Sequence, residues 1–593
     1  MYILGINPGH DATAVLLKEE RVIASVAEER ITRVKYHFGF PYESIKECLR
    51  IGGIGPSEVD IVVFGGNALL NGKASYSHYL MVNFSGLYDV SNELPLSYVI
   101  RKVIFKIKQQ VIKPLSCGHL FAAALQKTGI KAPIKSYDHH LCHAASAYFN
   151  LGYDESLIIT ADGAGDGLSS IVTIARNGKF ETVHTVEEDH SVGAFYSAIT
   201  KYLGFKRNRH EGKVTGLAAY GNPDLLKNSF SKMIYSVEDG KSYESQIIGS
   251  MPAWKRKLKK ILLFFSGKPG FVNEIYMAYL RKECSCSKKE DIAAACQSVS
   301  EEVFVNYAKY WVNKCKINKV GLAGGIFSNV RINQKIMEID EIDEVFIHPN
   351  MGDGGIAMGA ALLYYNDCLI SKGSFLSPTA IDNVFYGSEY NDDEIGKAIS
   401  NPEYEYYCPE NFASEVARLV YEGNIVGHFN YRMEYGPRAL GARTILANAT
   451  NNEINNWLNK RLKRTEFMPF APVCPEELAD IVFANYSKGK YPAKFMTITF
   501  DVKEEWKDKI PAVVHVDGTA RPQTITPAQH KVYYDIVKEY CRISGLPALI
   551  NTSFNVHEEP IVRTPLEALN SLKKDCIDIL AIGSFIVKKR KKN

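Results

Sequence analysis

The chain has 593 residues, 46% of them hydrophobic and 23% charged, and a formal net charge of +4. This composition is typical of a globular protein with more than one domain, and so small a charge on so long a chain does not indicate nucleic-acid binding. No apolar run reaches the roughly 20 residues of a membrane span, and the N-terminus lacks the basic region of a signal peptide. Twelve cysteines without a CxxC pair indicate a reducing compartment. We therefore predict a cytoplasmic protein with no nucleic-acid partner and no stable membrane insertion.

The N-terminal part of the chain predicts strands first and then strands alternating with helices. The runs "YILGI", "ATAVLL" and "RVIASVAEE" predict three strands, with a turn at "NPGHD" between the first two. Segment 156–179 repeats the pattern of strand, Gly/Asp turn and strand, which predicts a duplicated fold of the actin-like ATPase kind. A helix within 285–312 precedes strand–turn–helix units at 319–336 and 344–365. This alternation predicts a mostly parallel α/β core.

A change of composition over 366–400 has the character of a linker. A second α/β pattern follows it, with segments such as "EVARLVYEGNIVGHFN", "RTILANAT" and "DILAIGSFIVKK". We therefore predict a domain boundary near residue 370, which divides the chain into domains 1–370 and 371–593.

The segment "HHLCHAASAYF" predicts a helix, because alanine favours one. His139 and His143 are then one turn apart on a single face and can share a metal ion. His140 and Cys142 point away from that face, and we interpret them as residues that support or pack the helix. Asp138 is left out of the predicted site. The alternative is a packed helix whose histidines are only hydrogen-bonded.

Two aspartates are the predicted oxygen ligands of the same metal. Asp162 and Asp353 each follow an apolar strand and lie among glycines, in "TADGAGDG" and "NMGDGGIAMG". Carboxylates in such turns can approach an ion closely. Two imidazoles with carboxylates suit Fe(II), Mn(II) or Zn(II), and the ligand types do not select among them. Asp166 is a competing candidate, with a plain turn residue as the alternative.

Glycine-rich turns also predict a nucleotide site, because they allow close backbone approach and precede a helix N-terminus. The predicted nucleotide-binding residues are Gly163, Gly324, Gly325, Asn329 and Asn333. The segment "NRHEGKVTGLAAYG" adds Glu211, Lys213 and another glycine-rich turn that suits anions.

Four segments of the second domain combine basic or small polar residues with Pro/Gly turns. They are 430–450, 461–472, 515–525 and 550–562. Arginine is the preferred side chain for bidentate recognition of phosphate. The four segments therefore predict a pocket for a polyanionic substrate, with solvated surface loops as the alternative.

The run "PAWKRKLKKILLFF" at 252–265 is both basic and apolar. One interpretation is an amphipathic helix on a membrane or near a lipid-linked acceptor. The other is an ordinary helix with a solvated basic face.

Taken in order, these motifs make the chain similar to the NodU/TobZ/CmcH family of O-carbamoyltransferases over nearly its full length. The matching motifs are "NPGHDATA", "EERITRVK", "HHLCHAASA", "ADGAGDG", "EGKVTGLAAYG", "GGIFSNVRIN", "GDGGIAMGAA", "YGPRALGARTILA", "RTEFMPFAP", "HVDGTARPQT" and "NTSFNVHEEPIV". The resemblance implies an N-terminal Kae1-like domain of the actin-like ATPase class and a C-terminal YrdC-like domain. It implies that the YrdC-like domain makes carbamoyl-adenylate from carbamoyl phosphate and ATP. The Kae1-like domain would then transfer the carbamoyl group to a hydroxyl of a small-molecule or saccharide acceptor.

The resemblance also implies roles for individual residues. His139, His143, Asp162 and Asp353 match the metal ligands, and His10 and Asp11 match the loop that meets the carbamoyl-adenylate. We predict catalytic roles for His10, Asp11 and Lys213. The implied YrdC-like pocket consists of Arg438, Arg443, Lys463, Arg464, Arg521, Ser553 and Asn555. Met468 stands where many relatives have an arginine, which bears on the phosphate contacts of that segment.

The expected cofactor is Fe(II), or Mn(II) or Zn(II), with Mg(II) as a candidate companion of ATP. Other functions stay open at this point: a threonylcarbamoyl- or hydrogenase-maturation-type carbamoyl-adenylate enzyme, or a non-catalytic nucleotide-binding protein of the same fold. The near-neutral charge gives little support to a tRNA substrate, and a homodimer is left open. The acceptor could be an antibiotic, an oligosaccharide or a surface polysaccharide precursor.

Overall fold

A computed structural model describes residues 1–67, 117–266, 271–451, 453–462 and 470–590. The N-terminal half contains twelve of the described strands. They are β1 (Tyr2–Asn7), β2 (Thr13–Lys18), β3 (Arg21–Ala27), β4 (Ile61–Gly65), β5 (Ile134–Tyr137), β6 (Glu155–Gly165), β7 (Leu168–Arg176), β8 (Lys179–Glu187), β9 (Tyr235–Val237), β10 (Ser242–Glu244), β11 (Lys319–Ala323) and β12 (Glu344–Ile347).

Ten of these strands form two sheets of the same topology. The first has the order β3-β2-β1-β4-β5, and the second has the order β8-β7-β6-β11-β12. In each sheet the first three strands are an antiparallel meander, and the last two add in parallel. The predicted duplicated α/β fold is confirmed. Each sheet is mixed rather than mostly parallel, because the meander contributes two antiparallel pairs.

The described helices of eight or more residues are α1 (Tyr42–Gly52), α2 (Cys117–Gln126), α3 (His139–Leu151), α4 (Val192–Tyr202), α5 (Glu211–Ala218), α6 (Ala253–Ser266), α7 (Phe271–Glu283), α8 (Lys289–Cys315), α9 (Val330–Met337), α10 (Ile356–Ile370), α11 (Asp392–Ile399), α12 (Phe412–Tyr421), α13 (Glu453–Arg461), α14 (Lys531–Ser544) and α15 (Pro565–Lys573). Within the described ranges, none of the helices combines the length and apolar character needed to cross a membrane.

Two helices rich in small residues, α3 and α10, pack together in the N-terminal half. A Cβ on Gly359 of α10 would lie 1.8 Å from the carbonyl oxygen of Cys142, and a Cβ on Gly5 of β1 would lie 2.1 Å from that of Ala357. Every residue of α3 except Leu141 is buried. A helix that is buried all round needs small residues at its contacts so that neighbouring backbones can approach. This packing fixes α3, which carries the two predicted metal-binding histidines.

The C-terminal half is built on one eight-stranded mixed sheet. Its strands and those of a small ribbon are β13 (Tyr404–Tyr407), β14 (Val426–Phe429), β15 (Arg443–Ala447), β16 (Ala471–Pro475), β17 (Phe500–Asp501), β18 (Thr519–Ala520), β19 (Gln523–Ile525), β20 (Leu549–Ser553), β21 (Ile579–Ile582) and β22 (Phe585–Lys589). The sheet order is β13-β22-β21-β14-β15-β20-β16-β19. Buried side chains of α12 and α14 share an apolar cluster with this sheet.

Apolar packing continues from one half into the other. Phe327 and Phe500 belong to the same buried cluster, and Asn333 donates a hydrogen bond to the carbonyl of Thr497 at 2.7 Å. Helix α10 ends at Ile370 and α11 begins at Asp392. The domain boundary near residue 370 stays a prediction.

A cluster of charges around Glu558 also joins the halves. Its carboxylate lies 2.8 Å from His210 Nε2, 3.1 Å from Lys206 Nζ and 3.6 Å from an Arg209 nitrogen. Burial acts to raise the pKa of Glu558, but hydrogen bonds and charge from His210 and Lys206 outweigh it and lower the pKa to about 2. His557 Nε2 also lies 3.8 Å from the Glu558 carboxylate. A folded-state pKa below the unfolded value means that the ionised Glu558 stabilises the fold above pH ~4.5.

Replacing Glu558 with glutamine should therefore lower stability at pH 7 by about 1 kcal/mol, a value discounted for partial solvent screening. The difference from the parent should shrink as the pH falls from about 4.5 towards 2, because Glu558 becomes protonated in the folded protein. Thermal unfolding midpoints across this pH range would measure it. Glu559→Gln is the matched control, because Glu559 is the next residue in the chain and its side chain is exposed. A destabilisation that stays constant with pH would contradict this explanation.

Candidate metal and adenylate sites

Helix α3 places His139 and His143 on one face, as predicted from their spacing. The helix begins at His139 because the Asp138 carboxylate caps it, accepting a hydrogen bond from the backbone N–H of Leu141 at 2.9 Å. Asp138 therefore has a structural task, which agrees with its omission from the predicted site. Both histidine side chains are buried.

The two predicted carboxylates face these imidazoles from one edge of the second sheet, Asp162 from β6 and Asp353 from the turn after β12. Asp162 Oδ2 lies 3.2 Å from His143 Nε2 and 3.8 Å from His139 Nε2. Asp353 Oδ1 lies 3.6 Å from His143 Nε2 and 3.7 Å from His139 Nε2. One ligand atom from each of the four residues falls within 4.8 Å of all the others. The structure thus brings together the whole predicted ligand set.

The residues of this cluster fit a divalent cation. His139 Nε2, His143 Nε2 and Asp162 Oδ2 are buried and have no hydrogen-bond partner. Leaving such atoms unsatisfied is costly, whereas a cation among them would use all three lone pairs. Burial lowers the pKa of His143, but Asp162 and Asp353 outweigh burial and raise it to about 9. Two imidazoles and two carboxylates can hold Fe(II), Mn(II) or Zn(II).

His10 lies beside the cluster rather than within it. Its Nε2 is 2.9 Å from Asp353 Oδ2, and its Nδ1 is 3.1 Å from Asp11 Oδ2. The charge of Asp353 raises the pKa of His10 well above the usual value. The side chain is 39% exposed, so it can orient Asp353 while one side stays open to solvent. The catalytic roles of His10 and Asp11 stay predictions.

Two other polar residues, His140 and Asp166, make hydrogen bonds that support α3 and its surroundings. His140 Nδ1 is 2.8 Å from Thr160 Oγ1 and its Nε2 is 3.2 Å from the carbonyl of Leu168. Burial lowers the pKa of His140 to about 3, so the ring is neutral. Asp166 accepts hydrogen bonds from the backbone N–H groups of His139 and Asn67 at 2.9 and 3.0 Å. It therefore holds the start of α3, as expected of a turn residue.

The predicted nucleotide glycines gather around Asp162. The N–H of Gly163 donates to Asp162 Oδ1 at 2.6 Å, and a Cβ on Gly325 would lie 3.0 Å from the same atom. Gly324 has a φ of +107°, and a Cβ there would meet the carbonyl of Ala161 at 2.1 Å. A Cβ on Gly163 would meet nothing within 4 Å. Open space beside Asp162, a candidate metal ligand, suits a ligand, and binding of a nucleotide by these glycines stays a prediction.

The predicted asparagines and lysine occupy different surroundings. Asn329 caps α9, accepting from the N–H groups of Arg331 and Ile332. Asn333 is fully buried and donates to the carbonyl of Phe327 at 2.7 Å as well as to that of Thr497. Both asparagines thus hold the turn after β11. Lys213 is half-buried in the first turn of α5, and its catalytic role stays a prediction.

The C-terminal half brings its predicted pocket segments to one end of the large sheet. Thr444 pairs with Ser553, so the start of β15 lies beside the end of β20. The start of β16 lies at the same end, because Ala471 pairs with Asn551. Strand β19 runs parallel to β16, and Arg521 just precedes it. Arg443, Arg521 and Ser553 therefore lie along one edge of the sheet, which is formed by these strand ends. Asn555 follows Ser553 by two residues, and its side chain donates to the carbonyl of Glu559 at 2.6 Å. Lys463, Arg464 and Met468 lie outside the described residues.

The contacts of Arg443 differ from those expected of a phosphate-binding arginine. Its guanidinium is fully buried and stacks 3.7 Å from the centre of the Phe429 ring. It donates hydrogen bonds to the backbone carbonyls of Asn430, Tyr431, Ala442 and Ser388 at 2.9–3.1 Å. A phosphate contact of Arg443 stays a prediction, and this geometry favours a role in holding the loop that carries Arg438.

That loop, residues 434–438, contacts the turn that carries Asp353 in the other half. The hydroxyl of Tyr435 donates to the carbonyl of Gly354, next to Asp353, at 3.3 Å. Gly436 has a φ of +99°, and a Cβ there would lie 3.1 Å from the carbonyl of Pro349. Arg30 donates to the carbonyl of Gly436 at 2.8 Å. Arg438 follows two residues later, so one short loop connects the two predicted sites.

Sequence reasoning missed several residues that shape the site. Asn7 donates to the carbonyls of His10 and Asp11 at 2.8 and 3.3 Å and thereby fixes the first loop. A Cβ on Gly165 would lie 2.1 Å from His139 Cδ2, so only glycine leaves room for that ring. Tyr435 was missed as well. The glycine-rich motif around Gly165 was a usable signal. Tyr435 opens the motif "YGPRALGARTILA", but nothing in that motif indicates a contact with the other half.

The structure thus joins a duplicated α/β half, which holds a buried His₂Asp₂ cluster, to a second α/β half with arginines along one sheet edge. This is the architecture of a protein with two polar sites that one loop connects. Two sequence models match this chain, "Carbamoyltransferase N-terminus" over residues 2–362 and "Carbamoyltransferase C-terminus" over residues 417–589. The chain therefore belongs to the carbamoyltransferase family and is a carbamoyltransferase.

Several known proteins are similar to this chain. An uncharacterized protein of Synechocystis sp. is 29% identical over 99% of this chain and 97% of its own length. The nodulation protein NolNO of Sinorhizobium fredii is 30% identical over 98% of this chain and 79% of its own length. Among solved structures, full-length HypF is 13% identical over 61% of this chain and 46% of its own, with a TM-score of 0.31. The predicted resemblance to the NodU-containing family is confirmed.

Proposed function

We propose that this protein is an ATP-dependent O-carbamoyltransferase that works in two steps at its two sites. In the first step, carbamoyl phosphate loses phosphate to water, and an oxygen of the resulting carbamate attacks the α-phosphorus of ATP. Pyrophosphate leaves and carbamoyl-adenylate is formed. In the second step, an acceptor hydroxyl attacks the carbamoyl carbon, its proton is removed, and AMP leaves.

The observation that carries this proposal is the contact of loop 434–438 with the Asp353 turn. An adenylate is hydrolysed if it is released into water, so a chain that makes it at one site and uses it at another benefits from a direct connection. Tyr435 and Gly436 touch the turn that holds Asp353, and Arg438 lies two residues further on. The loop supports passage of the intermediate between the two halves.

We assign adenylate formation to the C-terminal edge that holds Arg521, Ser553 and Asn555. Gathering two polyanions there requires positive charge, which arginine supplies with bidentate geometry. We assign transfer to the N-terminal cluster, where His139, His143, Asp162 and Asp353 would hold the metal. When bound, the metal supplies Lewis-acid polarisation of a carbonyl oxygen or lowers the pKa of a hydroxyl. His10 orients Asp353 and, from its half-exposed position, can contact the adenylate.

The proposed acceptor is a free hydroxyl on a small molecule or a saccharide. No serine–histidine or cysteine–histidine pair is part of the described cluster around His143, so the geometry favours direct attack by the acceptor over a carbamoyl-enzyme intermediate.

An assay for partial products tests this function. Metal-loaded protein incubated with carbamoyl phosphate and ATP should release AMP, pyrophosphate and phosphate, and ATP consumption should depend on carbamoyl phosphate. Arg521→Ala should reduce that consumption by about 100-fold. Arg542→Ala is the matched control, because Arg542 is 69% exposed and pairs only across the surface with Glu539. Failure of folded, metal-loaded protein to consume ATP in response to carbamoyl phosphate, across a range of hydroxyl acceptors, would exclude the proposal.

A further inference from the structure

Helix α6 presents three large apolar side chains to solvent. Trp254, Leu258 and Leu262 are 64%, 48% and 59% exposed. They are spaced four residues apart, so they form one stripe about 12 Å long on a single face. Large apolar side chains aligned in this way mark an interaction surface more often than isolated ones do.

The opposite face of α6 is attached to the protein by charge. Lys260 Nζ lies 2.8 Å from Asp189 Oδ1, and an Arg256 nitrogen lies 3.9 Å from Asp189 Oδ2. The Lys260 ammonium also lies 5.5 Å from the centre of the Phe271 ring. The face turned to solvent carries the apolar stripe, which favours the amphipathic interpretation of this segment over an ordinary helix with a solvated basic face.

Lysines flank the stripe on both sides. Lys255 and Lys259 lie next to it on one side, Lys257 lies on the other, and all three are exposed. The helix sequence "AWKRKLKKILLFFS" has five basic residues and no acidic one. An apolar centre with tryptophan and leucine, bordered by lysines whose ammonium groups can reach outward, is the pattern of helices that lie in the interface of a bilayer.

We propose that α6 docks on an anionic lipid surface. Trp254, Leu258 and Leu262 enter the boundary between headgroups and acyl chains, and the three flanking lysines contact lipid phosphates. Charge complementarity selects lipid over a second copy of this chain, because two such helices would bring like charges together. The docking is reversible and peripheral, and it is independent of the proposed carbamoyl transfer.

Vesicle co-sedimentation of the full chain tests the proposal. The protein should bind vesicles of phosphatidylcholine mixed with phosphatidylglycerol, bind phosphatidylcholine alone weakly, and lose binding as salt is raised. The emission of Trp254 should shift to shorter wavelength on binding, and this shift should disappear in Trp254→Phe. Leu258→Glu should weaken binding by about tenfold or more. The double variant Lys257→Glu with Lys259→Glu should weaken vesicle binding by about fivefold for each of the two lysines lost.

The control variant is Leu566→Glu, because Leu566 is 64% exposed in the C-terminal half. It should bind vesicles as the parent does, and all variants should keep the parent's unfolding midpoint because only exposed side chains change. Equal binding by Leu258→Glu, preference for neutral vesicles, or no binding at low salt would overturn the proposal. Self-association that Leu258→Glu abolishes, without vesicle binding, would assign the stripe to a second copy and overturn it as well.

Discussion

Replacing His143 with alanine is expected to abolish carbamoyl transfer while leaving carbamoyl-adenylate formation largely intact. His143 is fully buried, and its Nε2 faces both Asp162 and Asp353 at 3.2 and 3.6 Å. Its loss removes one of four ligands from a closed cluster, which should lower metal affinity and transfer by at least about 100-fold. The sheet edge to which we assign adenylate formation lies in the other half of the chain and keeps all its residues.

Two readouts separate the steps in this variant. Pyrophosphate release without acceptor reports adenylate formation, and carbamoylated acceptor reports transfer, while elemental analysis gives the bound metal. His140→Gln is the control on the same helix, because the His140 ring is hydrogen-bonded to Thr160 and Leu168 and faces away from the ligands. It should retain metal. Equal loss of pyrophosphate release and transfer in His143→Ala, with the fold intact, would refute the division of labour between the two halves.

The metal cluster was predictable from sequence because its geometry follows local rules. A spacing of four residues in a helix aligns His139 and His143 whatever surrounds them. Asp162 lies near the end of β6 and Asp353 follows β12, and both strands pair in parallel with β11 in one sheet. Strands of one sheet that end at the same edge bring their final residues together. Predicting the position of the two carboxylates therefore required only the pairing of strands and not the detailed packing of side chains.

Other features depend on contacts between distant segments, which no local pattern encodes. Tyr435 and Gly354 are 81 positions apart, and nothing near either residue predicts their hydrogen bond. Helix α6 has a clear amphipathic pattern, but its sequence does not say which face meets the protein. The acidic partner Asp189 decides that orientation. The sequence pattern therefore identified the surface without revealing that its apolar side is the one exposed.

Arginine shows the same limit, because a buried structural arginine and a phosphate-binding arginine look alike in sequence. Arg443 follows a glycine-rich turn and was predicted to be a pocket residue, yet its guanidinium is enclosed by carbonyls. Burial lowers the pKa of Arg443 to about 10, and the buried carboxylate of Glu434 supplies compensating charge while it accepts hydrogen bonds from the backbone N–H groups of Leu440 and Arg443 at 2.8 and 3.1 Å. Asn551 and Gln523 hold the same loop from the sheet, through bonds to the carbonyls of Ala439 and Leu440.

Arg443→Met should therefore destabilise the protein by about 3–5 kcal/mol, because four carbonyls lose their donor and the Glu434 charge loses one of the two arginines that compensate it. Arg443→Lys should be nearly as damaging, since one ammonium group cannot replace a planar fork bonded to four acceptors. Thermal unfolding midpoints and the yield of folded protein measure both effects. Arg542→Met, on the exposed surface of α14, should leave the midpoint unchanged.

The lysine variant distinguishes the two roles of Arg443. If the side chain mainly bound phosphate, Arg443→Lys would keep the unfolding midpoint, because positive charge would remain in an otherwise intact pocket, and the KM for ATP or carbamoyl phosphate would rise. If it holds the loop, the midpoint falls first, and any folded Arg443→Lys protein loses transfer together with adenylate formation. The second outcome is expected, because the loop fixed by Arg443 carries both Arg438, a predicted pocket residue, and Tyr435 and Gly436, which contact the turn of Asp353. Disordering the loop should therefore impair both proposed steps.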